Sequence, residues 1–175
     1  NWSRPGDVVA NGISVKVARD RSIRVFNGSG VPVHFLIDVV GYYSNSGAQF
    51  FPTDPARVFD SRTSAGGAGP IAPRAAGTRT ASVAATQATR VEQVPSGALA
   101  IANNATVSQT GSSGHLRLYP ASSELVDSSI LNWPAEGYTR ANGSVTAISP
   151  GRQVKIYNGS TSTAEVMLDT MGFFK

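Results

Sequence analysis

Short runs of alternating apolar and polar residues, broken by Gly, Asn, Ser and Pro, fill the sequence, and no window carries a helical stripe longer than two turns. That spacing predicts an all-β chain. The clearest unit is Arg21 to Tyr43, where Ile23 and Val25 alternate with Arg24 and Phe26, Asn27-Gly28 supplies a turn that accommodates positive φ, and Val33 to Tyr42 returns. A hairpin is expected there and, around Asn158-Gly159, between Val154 and Phe173. Further strands are predicted at 9–17, 78–84, 98–108, 115–119, 126–132 and 140–148. Phe50 to Arg62 reads as an extended stretch pinned by prolines, and Ala65 to Pro73 as a Gly/Pro/Ala loop.

The pattern repeats. Residues 1–43 align without a gap on residues 132–174 at an offset of 131, with 12 identities in 43 positions, among them Trp2/Trp133, Arg21/Arg152, Asn27/Asn158, Asp38/Asp169 and Gly41/Gly172. Apolar residues replace apolar ones at Ile23/Val154, Val25/Ile156, Phe35/Val166 and Ile37/Leu168. The expected organisation is therefore the C-terminal part of a preceding repeat at 1–44, a linker at 45–49 and one complete module at 50–175. Such a chain is either a window on a tandem array or a permuted subunit. A weaker echo within the module relates Ala102-Asn103 and the following His115 to Tyr119 to Ala141-Asn142 and Gln153 to Tyr157.

About seven or eight short strands per module bury alternating faces by stacking two antiparallel sheets or closing a barrel. A β-sandwich is the first expectation and a β-trefoil-like barrel the alternative, because 131 is close to three units of about 44. Residues 45–88 show no kinship to the other two units, which argues against threefold symmetry.

Composition narrows the chemistry. The chain has no cysteine and two histidines, which removes thiol chemistry and zinc ribbons, and 41% hydrophobic residues can fill a core. Its longest apolar stretches, such as Phe35 to Val40, are interrupted by Asp38 and fall far short of a membrane span of roughly 20 residues. The net charge is +4, but 12 arginines and 3 lysines are scattered rather than clustered, so no nucleic-acid partner is expected and the arginine bias fits a GC-rich genome.

No nucleophile elbow, HExxH, phosphate-binding loop or calcium loop is present, so neither enzyme activity nor a metal or other cofactor is expected. Asp38 and Asp169 stand in apolar strands at equivalent positions, and a buried carboxylate needs hydrogen bonds or a cation. An arginine or loop backbone is the expected partner; a metal is the alternative, though calcium wants six or more oxygens. Arg57, Asp60 and Arg62 offer charge pairs that would staple the start of the module, with bidentate arginine geometry. A buried packing role, with one hydrogen-bond partner for the indole, is expected of Trp2 and Trp133, and a sugar-stacking platform is the alternative.

The residues Phe51-Pro52, Pro55, Arg57, Asp60 and Arg62, then Leu116-Arg117-Leu118-Tyr119-Pro120, Leu131-Asn132-Trp133, Val154 to Asn158 and Asp169 to Phe174 resemble a tandem repeat of secreted and cell-surface proteins of actinobacteria. Ser61 stands where that family usually has Thr. The resemblance implies an extracellular accessory role with no catalytic residues of its own. Two functions are expected: a non-enzymatic structural or adhesive module, assembling head-to-tail into a surface fibre by strand exchange, because repeats create extended surfaces and the module boundary is permuted, or a carbohydrate-binding module for cell-wall or environmental polysaccharide, for which the abundant Asn, Ser, Thr and aromatic residues speak. The expected partners are its own copies or neighbouring repeats, or a glycan, with no membrane insertion.

Overall fold

The computed structural model describes residues 5–63, 69–87 and 89–175. It is all-β and holds two four-stranded antiparallel sheets, open rather than closed into a barrel, so the trefoil-like alternative is set aside and the architecture is a sandwich. The strands are β1 (Phe50–Asp60), β2 (Thr78–Ser82), β3 (Ala100–Ser108), β4 (Gly114–Pro120), β5 (Leu131–Trp133), β6 (Arg140–Ala147), β7 (Gln153–Asn158) and β8 (Glu165–Phe174), with one 3-10 turn at Arg74–Gly77. One sheet runs β1-β8-β3-β6 and the other β2-β7-β4-β5.

Alternation explains which faces meet. In β3 Ile101, Asn103, Ala105 and Val107 are buried, in β7 Val154, Ile156 and Asn158, and in β4 Leu116 and Leu118, so each sheet presents one apolar stripe to the other. Each fully buried Ile, Leu or Val removes enough apolar surface from water to contribute about 1.5–3 kcal/mol before entropy is charged against it. Pro52 and Pro55 are tolerated because β1 is an edge strand, and its ladder to β8 shifts register between Pro52 and Ala56.

The structure corrects the expected hairpins. β7 and β8 are consecutive, yet β7 lies between β2 and β4 in one sheet while β8 lies between β1 and β3 in the other. The Asn158-Gly159 connection therefore crosses between sheets. Asn158 makes the crossing rigid: wholly buried, its Nδ2 donates to Ile71 O (3.0 Å) and Ser162 O (2.9 Å), while its Oδ1 accepts from Ser160 N (3.0 Å). Period-2 patterning identifies a strand and its buried face but not the strand beside it. The strand expected at 126–132 is likewise shorter and later, at 131–133. The weak internal echo has a spatial counterpart, since β3 pairs with β6 and β4 with β7.

The larger departure lies upstream. The strands expected at 9–17, 21–26 and 33–43 are absent, and every described strand falls within 50–174. Between Val8 and Tyr43, 17 large hydrophobic side chains are exposed, whereas six are exposed among the other described residues. An extended segment forms a strand only when a neighbour supplies the ladder, and β7 and β8, its equivalents, are both central strands with partners on two sides.

Candidate functional site

Four of the expected site residues converge on the edge of the first sheet. Arg57 of β1 faces Asp169 of β8 directly across the ladder, and its guanidinium grips that carboxylate through Nε to Oδ1 and Nη2 to Oδ2, the latter at 3.1 Å. Arg57 Nη1 also reaches Asp60 Oδ2 at 2.9 Å. Arg62 closes a second fork on Asp60, with Nε to Oδ1 at 2.9 Å and Nη2 to Oδ2 at 2.8 Å, and its backbone N–H adds a bond of 3.0 Å to Oδ1. Asp60 is 5% exposed. The hydrogen bond from Arg62, helped by its backbone N–H, its charge and Arg57, outweighs burial and lowers the Asp60 carboxyl to about 2. Arg57 is correspondingly raised, first by the Asp169 hydrogen bond.

This cluster joins β1, the turn after it and β8. It consumes the acceptor positions of Asp60, which suits a staple and leaves little for a ligand. Asp169 lies on the β8 face of Met167 and Met171, as the alternation predicts, and that face turns toward Arg57 rather than into the sandwich. Its counterpart Asp38 has no arginine against it among the described residues. Among the described residues, no three His, Cys, Asp or Glu side chains gather in a way that would hold a metal ion.

Trp133 is 2% exposed, and its Nε1–H donates to Ser112 O at 2.6 Å. No ring face is open to a pyranose, so Trp133 is a packing residue whose one polar atom is satisfied by backbone, and the sugar-platform alternative is set aside for it. Trp2 lies outside the described residues.

Sequence reasoning missed two polar links. Ser61, fully buried, donates from Oγ to Glu165 Oε2 and accepts from Val166 N at 2.8 Å, tying the turn after β1 to the start of β8. On the second sheet Arg117 donates from Nε to His115 Nε2 (3.2 Å), from Nη1 to Val126 O (2.7 Å) and from Nη2 to Asp127 (2.9 Å), while its guanidinium lies 5.4 Å from the Tyr157 ring centroid. Burial first, then the Arg117 charge, lowers the His115 pKa, so its Nε2 is an acceptor at neutral pH. The alternation of β4 places His115 and Arg117 on one face, a signal available in the sequence; the Asp127 partner comes from a loop and has no such signal.

Two of the open clefts among the described residues border the upstream segment. One of about 440 Å³ lies between Gly6 and Val8 of the upstream segment and His115, Asn132 and Trp133 of the sandwich. The other, about 210 Å³, lies between Val39 and Val40 and the Leu118 to Pro120 end of β4. Each has the upstream segment as one wall. No protein-family model matches the chain, and a comparison with curated proteins finds no match either. No described helix is long and apolar enough to cross a membrane.

Proposed function

We propose that the protein is a non-enzymatic structural or adhesive repeat module, secreted or held at the cell surface, that self-associates head-to-tail by strand exchange. One observation carries this reading: 17 large apolar side chains between Val8 and Tyr43 stand exposed, and nine of them, Ile23, Val25, Phe35 and Ile37 among them, have counterparts 131 residues on that are buried. Monomeric proteins rarely leave so much contiguous apolar surface open, and an unpaired strand former is completed by β-augmentation. Resemblance to the tandem actinobacterial repeat supports the extracellular setting and partnership with other copies. The carbohydrate-binding reading loses the Trp133 platform, because that ring is enclosed.

Light scattering over a hundredfold range of concentration tests it. Growth of the particle mass with concentration, with filaments in electron micrographs, is the expected result. A monodisperse monomer throughout, folded at both ends, would overturn it, and glycan-array binding would restore the carbohydrate reading.

A further inference from the structure

The ladder between β1 and β8 can be rebuilt from the upstream copy. Phe50 faces Phe174, Phe51 faces Phe173, Pro52 faces Gly172, and Gln49 and Lys175 exchange both backbone bonds, at 2.8 and 3.0 Å. At the 131-residue offset those partners become Tyr43, Tyr42, Gly41 and Ser44. Ser44 and Gln49 are separated only by Asn45-Ser46-Gly47-Ala48, and Gly47 sits at φ +126°. Four residues of this chemistry are enough for a hairpin loop. Residues 33–43 can therefore meet β1 of their own chain in the register that β8 uses, closing a circularly permuted sandwich from residues 5–131.

The upstream copy already holds the turns that this needs. Arg21 and Arg152 share positive φ (63° and 57°), as do Gly6 and Gly137 (80° and 72°). Asn27 Nδ2 donates to Val31 O at 2.8 Å and Ser29 N donates to Asn27 Oδ1 at 3.0 Å, the same bonds that Asn158 makes to Ser162 and Ser160. Only the bond from Asn158 to Ile71, in the 50–131 half, has no upstream equivalent. Glycine 41 points the same way. A Cβ on Gly172 would stand 2.6 Å from Phe51 O and the Phe50 ring, whereas nothing lies within 4 Å of one on Gly41 where it now stands. Glycine at position 41 is thus explained by an approach to a β1 strand that the upstream copy does not make.

Packing sets the balance between the two copies. Phe35 for Val166 and Val33 for Ala164 overfill wholly buried positions, and Val15 for Thr146 removes a hydroxyl that accepts from buried Asn103. In the other direction, Val39 replaces Thr170, whose buried hydroxyl has no partner. Val25 for Ile156 and Val17 for Ile148 return some volume. These differences favour the downstream copy without excluding the upstream one.

We propose that the half formed by residues 50–131 has a second ligand in its own chain, residues 5–43, which takes the place of residues 136–174 and frees that segment to enter a second copy. This deepens the self-association reading by naming both donor and acceptor. The test uses the full chain, which has no cysteine of its own. Leu168 is fully buried and Ile37 is its exposed counterpart. Leu168→Asp disables the downstream copy; it is expected to keep the β-sheet circular dichroism and a cooperative melt, whereas Ile37→Asp/Leu168→Asp loses both. In the Leu168→Asp chain, Arg24→Cys/Thr80→Cys is expected to form a disulfide within one chain, since Thr80 pairs with Lys155 and Arg24 is the counterpart of Lys155. The proposal is overturned if Leu168→Asp is as unfolded as the double variant, if the double variant stays folded, or if the disulfide joins only different chains. None of these readouts depends on adhesion or filament growth, so failure here leaves the proposed function standing, and a monomeric result in light scattering leaves the permuted pairing to be judged by the disulfide.

Discussion

Residues 5–43 and 136–174 carry the same alternation and the same turns, yet one copy is coil with its apolar residues in water and the other supplies β6, β7 and β8 of a sandwich. Ile37 is 52% exposed and its counterpart Leu168 is 0% exposed. The difference lies in which copy the shared partner takes, and the packing of the two segments sets that choice. β8 is held by β1 on one side and β3 on the other, β7 by β2 and β4, and the 50–131 half that contains all four engages only one copy. Local sequence is sufficient for an Asn-Gly-Ser turn, which closes its hydrogen bonds within five residues. A strand cannot close its own.

The contrast can be broken first in the core. Leu168→Ala opens a cavity between the sheets and is expected to cost about 2–5 kcal/mol in urea unfolding, against less than about 0.5 kcal/mol for Ile37→Ala. Equal effects of the two would mean that both copies are packed alike. Next is the inter-sheet crossing: Asn158→Ala leaves buried Ser160 N without its partner and removes one of the two bonds to Ile71 O, and should lower stability by about 1–3 kcal/mol, whereas Asn27→Ala, in an exposed turn, should be near neutral.

Acid provides a third test. Asp60 is depressed to about 2 in the folded protein from 3.8, so its contribution is complete above about pH 4 and is lost as pH falls toward 2. The loss should be about 1–2 kcal/mol, reduced by the water around exposed Arg62. Asp60→Asn should flatten that part of the stability profile. The smallest effect is at the paired glycines. A Cβ on Gly159 would collide with the His115 ring, so Gly159→Ala should displace His115 from Arg117 and cost about 1 kcal/mol or less, whereas a Cβ on Gly28 meets nothing nearer than 3.7 Å and should change little in the melting temperature.

The charge cluster was partly legible in advance. Arg57, Asp60, Arg62 and Asp169 were expected to pair, and their spacing within an edge strand and at an equivalent position in the repeat is a pattern a sequence can carry. The Ser61–Glu165 link was not, because its two residues are 104 positions apart and neither stands out by type. Trp133 shows the converse, since an aromatic residue in a β chain suits a sugar platform and a core equally well, and only burial separates the two.

By itself the sequence determined the all-β class, the faces of most strands, the positions of the turns and the 131-residue repeat, because each depends on residues close in the chain or on comparing the chain with itself. The tertiary structure decided that β7 and β8 part into different sheets, and which of two like segments joins the sandwich. Those outcomes depend on competition for the same neighbours, and alternation is identical for every strand that could fill a given place.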